Sequence, residues 1–388
     1  MGGAQMAIRT RKWQTASGEQ REAYIVDYRD RDGKRHIETF DRKKDAEARE
    51  AEIKVEIRAG VHVAPSRSTA VAEAAAEWLA ACENKRQLER TTTVNYASHV
   101  RLHIVPLIGK LKLTDLNATT ISAFEDRLLA EGRTPAMARK VLTSLGNILD
   151  EAQRRGRVQR NAARDLGRSH KTKQKRKQLK IGTDIPSPAE MKAIIAAATS
   201  QRWRTLLLVT ALTGMRASEV RGLRWCDVDF KAGEIHIRQK IDHFGEVGEP
   251  KTATSSRTIP LPGPAVQTLR EWQLASGNRD GLVFQSRNGK YLTTAGIVLR
   301  GLKAAVIAAG VVKEDGEAKY TGLHSLRHFY ASWCINRTED GGCGLPAKLV
   351  QERLGHSSIT ITLDVYGHLF PRGDDGGALN RAAEALLG

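Results

Sequence analysis

The sequence predicts an α+β protein of several domains, and three observations lead to this fold class. The chain has 388 residues, more than a single hydrophobic core ordinarily organises. Two short segments near the N terminus alternate apolar and polar residues on either side of an Asp-Gly pair, as in a β-hairpin. From about residue 67 to 165 the apolar residues instead recur at helical spacing. We therefore expect a small three-stranded sheet with one helix, a four-helix domain, and a mainly helical domain with a small antiparallel sheet.

The first segment, residues 1–64, is predicted to form three strands and then one helix. Residues 24–28 and 35–40 are the hairpin strands, and Asp32-Gly33 between them favours a tight turn. An earlier strand near residues 8–13 would complete the sheet. The helix should follow the hairpin directly.

This segment carries a concentration of basic side chains. They are Arg9, Arg11, Lys12, Arg29, Arg31, Lys34 and Arg35. A basic sheet of this size can lie in a DNA groove, as β-ribbon proteins do. The alternative is a charged sheet that is simply solvated, and the sequence leaves both interpretations open.

The middle of the chain divides into a helical segment and a basic one. Residues 67–165 predict four helices, whose apolar stripes are core positions rather than a ligand site. Residues 166–184 form a linker in which lysine and arginine dominate from 168 to 180. A block of like charge repels itself, so it is either a solvated tether or a segment whose charge is neutralised by phosphates.

Composition favours a polyanionic partner. The formal net charge is +18 and the isoelectric point is near 9.9, which raises the local concentration of nucleic acid. A membrane is disfavoured because the sequence contains no run of eighteen apolar residues and no apolar signal-peptide core. The four cysteines have no CxxC pairing, so we expect neither a metal site nor a disulfide framework, and no cofactor. A reducing cytoplasm fits this cysteine usage best.

The last segment, residues 185–388, contains several short motifs that carry chemistry. They read Thr-Gly-Met-Arg, then Pro-Lys-Thr, His-Ser-Leu-Arg-His, Leu-Gly-His and finally Tyr-Gly-His. The candidate catalytic residues that they supply are, in chain order, Arg216, Lys251, His324, Arg327, His356 and Tyr366. Between them they provide two guanidiniums, a candidate general acid, two imidazoles and a nucleophilic hydroxyl.

This ordered set strongly resembles the tyrosine recombinases, the phage-integrase family, from about residue 185 to the end of the chain. The resemblance implies that residues 185–388 are the catalytic domain and that residues 67–165 are the core-binding domain on the opposite face of DNA. Residues 1–64 resemble the arm-type DNA-binding domain of phage integrases, although their sequence is less specific than the C-terminal motifs.

The residue types suit cleavage of a phosphodiester without a metal. Arg216 and Arg327 can clamp the nonbridging oxygens, because a guanidinium is always charged and matches phosphate oxygens bidentately. Tyr366 is the predicted nucleophile, and the resemblance implies a 3′-phosphotyrosyl intermediate with a free 5′-hydroxyl. Religation would then need no ATP, since the covalent bond conserves the energy of the broken one.

The remaining groups handle protons. Lys251 is the candidate general acid for the leaving 5′-oxygen. His324 is assigned a hydrogen bond to the phosphate and the general-base role toward Tyr366, and His356 a hydrogen bond to a nonbridging oxygen. Glu219, one turn beyond Arg216, either orients that guanidinium or forms a plain surface pair. The histidines at 328 and 368 are expected to be structural.

The resemblance implies a site-specific DNA integrase that integrates or excises a phage or another mobile element. Its partners would be double-stranded DNA attachment sites and three further copies in a homotetramer, with a DNA-bending host protein and an excisionase as accessory candidates. The location would be the nucleoid of a bacterial host. The alternatives are a chromosome-dimer resolvase, which lacks the N-terminal domain, a topoisomerase IB, and a non-catalytic DNA-binding protein, which the intact site disfavours.

Overall fold

The computed structural model describes most of the chain. The described residues are 6–15, 19–30, 33–59, 62, 68–84, 88–169, 178–250, 255–371 and 375–387. They belong to two compact units, Met1–Lys173 and Gln174–Gly388. The expected fold class is confirmed, because helices predominate and the sheets are small and antiparallel.

The N-terminal sheet has three antiparallel strands in the order β1-β2-β3. These strands are Ala7–Gln14, Gln20–Arg29 and Arg35–Phe40, and helix α1, Lys43–Ala59, packs on them. The small core between them contains Val26 and Tyr28 from β2 and Ala46 and Ile53 from α1. The predicted strands and helix are therefore confirmed, while Asp32 of the predicted turn lies outside the described residues.

The helical segment contains the four predicted helices and an additional one. Its helices are α2 (Val71–Asn84), α3 (Arg90–His99), α4 (Val105–Ile108), α5 (Ala118–Ala130), α6 (Pro135–Arg154) and α7 (Ala162–Ser169). A π-helical turn, Val100–Ile104, joins α3 to α4, and there the Val105 N–H bonds to the Val100 carbonyl, five residues back. Pro106, which follows, has no N–H to continue the α-helical pattern. These three elements, α3, the π-helical turn and α4, therefore run as one interrupted helix in place of the second predicted helix.

Helix α7 was not predicted, and it changes the interpretation of the linker. It begins beside Asn161, whose side chain is buried and donates to the Gly146 carbonyl at 2.7 Å. Its eight residues show too few apolar positions for helical periodicity to reveal it. The predicted linker 166–184 thus starts within a helix, and residues 170–177 of it lie outside the described residues.

The second unit consists of helices packed around short antiparallel strands. Its helices are α8 (Pro188–Ala196), α9 (Gln201–Thr213), α10 (Ala217–Gly222), α11 (Gly263–Ser276), α12 (Thr294–Gly296), α13 (Ala304–Ala308), α14 (His324–Ile335), α15 (Ala347–Leu354), α16 (Ile359–Tyr366) and α17 (Asp375–Leu387). Its strands are β4 (Val228–Asp229), β5 (Glu234–Ile237), β6 (Lys240–Ile241), β7 (Val247–Gly248) and β8 (Arg257–Pro260). Strands β4, β5 and β8 form one sheet, and β6 and β7 form another.

Two local signals in the sequence position this unit's first helices. Ser187 caps α8 and forms a reciprocal capping box with Glu190. Helix α9 ends at Gly214, whose φ of 63° lies in the left-handed region that favours glycine. A Cβ on Gly214 would stand 2.3 Å from the Tyr330 ring, so the site also lacks space for a side chain. The chain can therefore turn sharply and deliver Arg216 to the start of α10.

Among the helices in the described ranges, none is both long enough and apolar enough to span a membrane. The four cysteines all lie in those ranges and are free thiols.

Candidate active site

The site is organised around the C-terminal end of α15. The last carbonyls of a helix have no partner within the helix and carry the negative end of its dipole. Helix α15 stops at Gly355, whose φ of 63° again requires the left-handed conformation. The chain then reverses, and its final carbonyls remain open to donors from other elements.

Three arginines from three different elements donate to three successive carbonyls at this helix end. The pairs are Arg257 Nε with the Arg353 oxygen at 2.7 Å, Arg327 Nη2 with the Leu354 oxygen at 2.6 Å, and Arg216 Nη2 with the Gly355 oxygen at 2.7 Å. The backbone of the Leu-Gly-His motif thus holds Arg327 and Arg216, in addition to contributing His356, and the carbonyl of Arg353 just before the motif holds Arg257.

Glu219 balances this concentration of positive charge. Its carboxylate is buried, with 4 % of the side chain exposed, and accepts from Arg216 Nη1 at 2.8 Å and from Arg257 Nη1 and Nη2 at 3.0 and 2.9 Å. Burial alone would raise the pKa of Glu219, but the hydrogen bonds and charge of Arg257, with the charge of Arg216, hold it below its usual value. Of the two interpretations of Glu219, the orienting role is therefore correct and the surface pair is wrong.

The two candidate clamp arginines differ in exposure. The Arg216 side chain is 36 % exposed, whereas Arg327 is 2 % exposed and is held by the Leu354 carbonyl and, at 2.7 Å, by the Gly214 carbonyl. Burial, followed by the charge of Arg216, lowers the pKa of Arg327, yet a guanidinium stays protonated even so. Arg216 is thus the more accessible member, and Arg327 is a fixed charge behind the surface.

Tyr366 is the last residue of α16, and its side chain is 1 % exposed. Its hydroxyl lies 2.8 Å from Nδ1 of His328. Burial raises the pKa of Tyr366 to about 12, although the nearby charge of Arg327 acts in the opposite direction. The motifs predict that His324 is the base and that His328 is structural, whereas the structure brings His328 to the hydroxyl.

His324 and His328 lie one turn apart on α14. Their rings meet edge to face, with centroids 4.4 Å apart and an interplanar angle of 77°. His324 is exposed at the rim of the site. Partial desolvation and then the charges of Arg327 and Arg216 lower the pKa of His324.

His356 follows Gly355 directly, and its ring lies parallel to the Tyr366 ring, with a 6.3 Å centroid separation. Its Nδ1 is 2.9 Å from Oγ1 of the buried Thr362, and Gln351 bonds to its backbone on both sides. Burial and then the charges of Arg327 and Arg216 lower the pKa of His356 to about 3. If the Thr362 hydroxyl donates to Nδ1, the proton is on Nε2, which can then donate to a ligand.

The remaining predicted residue, Lys251, lies outside the described residues, between β7 and β8. Arg216, His324, Arg327, His356 and Tyr366 all belong to the second unit, and their side chains interact electrostatically. No cluster of three or more potential metal ligands occurs among the described residues.

Three contributing residues were not given a role in the site from sequence: Arg257, His328 and Thr362. Arg257 is the first residue of β8 and lies in the sequence Ser-Arg-Thr-Ile-Pro. A single arginine in a predicted strand gives no indication of its contact with α15. Helical spacing offers a partial signal for the other two, since each lies four residues from a predicted site residue.

Comparisons with known proteins show what this chain is similar to. A family model described as "Phage integrase family" matches residues 187–372, and one described as "Phage integrase central domain" matches residues 71–169. A "Tyrosine recombinase XerC-like" protein of Caldanaerobacter subterraneus is 28% identical over 368 residues, which cover 85% of this chain and 87% of that protein. The "ICEBs1 integrase" of Bacillus subtilis is 26% identical, with 79% and 81% covered.

Solved structures share the fold at low sequence identity. An integrase of the Tn1549 transposon, determined with transposon right end DNA, superposes with a TM-score of 0.65 at 18% identity, covering 82% of this chain and 100% of that chain. A lambda integrase tetramer bound to a Holliday junction gives a TM-score of 0.58 at 19% identity, covering 90% and 96%.

Proposed function

We infer that this chain, which belongs to the phage integrase family and is therefore a tyrosine-type site-specific DNA recombinase, cuts DNA with the six residues that its motifs supply. The observation that carries this assignment is the convergence of three guanidiniums on the end of α15, in the same unit as a buried tyrosine. The recombinase integrates or excises a phage or another mobile element through a 3′-phosphotyrosyl intermediate.

The proposed clamp uses guanidinium donors that are already oriented. Arg216 is bonded to Glu219 and to the Gly355 carbonyl and is still partly exposed, so it can meet an incoming phosphate. The buried Arg327 adds a positive charge that the Gly214 and Leu354 carbonyls hold in place. Donors that are positioned before the reaction stabilise the extra charge of the pentacoordinate phosphorus without reorganisation, which is the main source of catalysis in such sites.

We propose that His356, His324 and Lys251 supply the hydrogen bonds and the proton of the reaction. Thr362 can hold His356 with Nε2 protonated, which supports donation to a nonbridging oxygen. His324 is exposed, which supports a contact with the phosphate. Lys251 is proposed as the general acid from its motif alone.

We also propose the division into an arm-type domain at 1–64, a core-binding domain at 67–165, a linker at 166–184 and a catalytic domain at 185–388. The three-stranded sheet with its own small core supports the first of these. That domain favours an integrase over a chromosome-dimer resolvase. Basic side chains on β1 are exposed, and so is Arg35 on β3, which supports a DNA-facing sheet.

The proposed partners are double-stranded attachment sites and other copies of the chain. Neighbours in fold were determined on DNA, one of them as a tetramer on a Holliday junction, which supports a homotetramer. Leu386 and Leu387 of α17 are 84% and 85% exposed, which supports docking of this helix on a neighbouring protomer. We propose a location on the nucleoid in the cytoplasm of a bacterial host, and a DNA-bending host protein and an excisionase as accessory partners.

Replacing the nucleophile tests the central proposal. Tyr366→Phe removes one oxygen, so DNA affinity should be unchanged while the covalent complex disappears. A substrate nicked near the cut site would trap the adduct of the unmodified protein on a denaturing gel. If Tyr366→Phe still forms the adduct, another residue is the nucleophile.

A further inference from the structure

We propose that His328 is a catalytic residue that accepts the phenolic proton of Tyr366 when that tyrosine attacks DNA, and returns it during religation. This inference rests on the proposed role of Tyr366 as the nucleophile. It reassigns the base role that the motifs give to His324.

The burial of the Tyr366 hydroxyl indicates the direction of its hydrogen bond. Tyr366 is 1 % exposed, and His328 Nδ1, at 2.8 Å, is its hydroxyl's hydrogen-bond partner within the described part of the chain. A buried O–H needs an acceptor, so the phenol donates and Nδ1 accepts. His328 is therefore the tautomer with its proton on Nε2, and Nδ1 presents the lone pair that a base requires.

His324 is placed differently. Its ring contacts the ring of His328 edge to face and is exposed at the rim, while the tyrosine hydroxyl bonds to His328 one turn further along α14. The motifs assign both the phosphate contact and the base role to His324, and the structure allows each histidine to have one of them. His324 is available to the phosphate, and His328 serves the nucleophile.

The charged surroundings explain why the proton stays on the tyrosine in the free protein. Burial, His324 and Arg327 lower the pKa of His328 to about 4, and Asp184, from the turn before α8, acts in the opposite direction. A phosphodiester bound at the site adds negative charge, which offsets the arginines and favours a protonated imidazole. Proton transfer is thereby coupled to the presence of substrate.

The step balances. The bond from Tyr366 Oη to phosphorus forms while Oη–H breaks, and the proton passes to Nδ1 of His328. The bond from phosphorus to the 5′-oxygen breaks with its electron pair, and the proposed acid Lys251 supplies the proton to that oxygen. Religation reverses each transfer, so His328 then protonates the departing tyrosine.

Three variants distinguish a base from a group that only positions the hydroxyl. In His328→Asn, Oδ1 can accept the same hydrogen bond but cannot hold the proton, whereas His328→Ala removes both functions. Single-turnover cleavage of a nicked substrate should fall about 10²- to 10⁴-fold in both variants, with gel-shift affinity unchanged. His236→Asn, at a half-buried histidine on β5 that bonds to Thr258, is the matched control and should cleave normally.

Added imidazole provides a readout that a structural role would not change. It should restore cleavage to His328→Ala in proportion to the free-base concentration, and it should not restore Tyr366→Phe. Near-normal cleavage by His328→Asn, or no rescue of His328→Ala by imidazole, would overturn the assignment of His328. Adduct formation by Tyr366→Phe would instead overturn the proposed function, so the two failures are distinct.

Discussion

At the scale of single residues, Glu219 is the group on which the arrangement of the arginines depends. It is a buried carboxylate shared by a buried guanidinium, Arg257, and a half-exposed one, Arg216. A buried ion pair adds little net stability when complete, but removal of one partner leaves an uncompensated charge. The energetic consequence should therefore appear when the carboxylate is neutralised.

Glu219→Gln keeps the shape of the side chain and removes its charge. We expect it to lower the free energy of unfolding by about 3 kcal/mol, since Arg257 stays buried without its counter-charge. Cleavage should fall as well, because a neutral amide holds the Arg216 guanidinium more weakly than the carboxylate does. Urea unfolding and single-turnover cleavage measure the two effects.

Glu317→Gln is the matched control, because Glu317 forms an exposed pair with Lys313 at 3.8 Å. Exposed pairs contribute little, so its effect should stay below about 1 kcal/mol. Equal stability losses in the two variants would show that the buried carboxylate has no special role.

The histidines of the site predict a dependence of stability on pH. The pKa of His328 is lowered to about 4 and that of His356 to about 3, so the unfolded chain binds more protons than the folded one above those values. Stability should therefore rise as the pH increases from about 4 to 6.5, and should level off above the unfolded histidine pKa. Melting temperatures measured across this window test the sign, and His356→Asn should flatten the rise.

At the scale of elements, α15 contributes to the site through the carbonyls at its C-terminal end. It has eight residues, and its function in the site depends on Gly355, which ends the helix and leaves three carbonyls to the arginines. A Cβ at Gly355 would be 2.9 Å from Arg257 Nη1, so a side chain there requires this guanidinium to move.

Gly355→Ala should therefore cost more than the strain of a left-handed alanine, which is about 1–2 kcal/mol. Gly277→Ala is a close control: Gly277 ends α11 with a φ of 64°, and its Cβ would meet nothing within 4 Å. Both variants should lose stability, but only Gly355→Ala should also lose cleavage, because only it displaces Arg257. Comparable cleavage by the two would contradict the role of this helix end.

At the scale of the whole molecule, the N-terminal sheet and α1 have a small core of their own. A fragment without them still contains the helical segment and the candidate active site. We expect a fragment that begins near Ser66 to cleave and religate a core site and to resolve a four-way junction, yet to fail in integration between full attachment sites. Recombination assays on the two substrate types, with the full chain as reference, make the comparison.

Residues 1–64 alone should protect flanking repeats in a footprint, with an affinity that falls steeply as the salt concentration rises. If this module protects only the core site, or no DNA, the preference for an integrase over a two-domain recombinase loses its main support.

The sequence by itself determined the elements and the chemical groups. Alternation identified the N-terminal strands, periodicity identified the longer helices, and Ser187 and Gly214 marked helix ends, because these signals are local in the chain. The short helix α7 could not be predicted from the sequence, because its eight residues do not establish a helical period.

Only the tertiary structure decided how the groups act together. Helical spacing places His324 and His328 on the same face of α14, so periodicity could not choose which of them meets Tyr366. That choice depends on how α16 packs on α14, and the partners of Arg257, 96 residues away at Arg353 and 38 away at Glu219, depend on packing in the same way. Contacts between residues so distant in the chain leave no local pattern, because burial and shape, rather than spacing, bring them together.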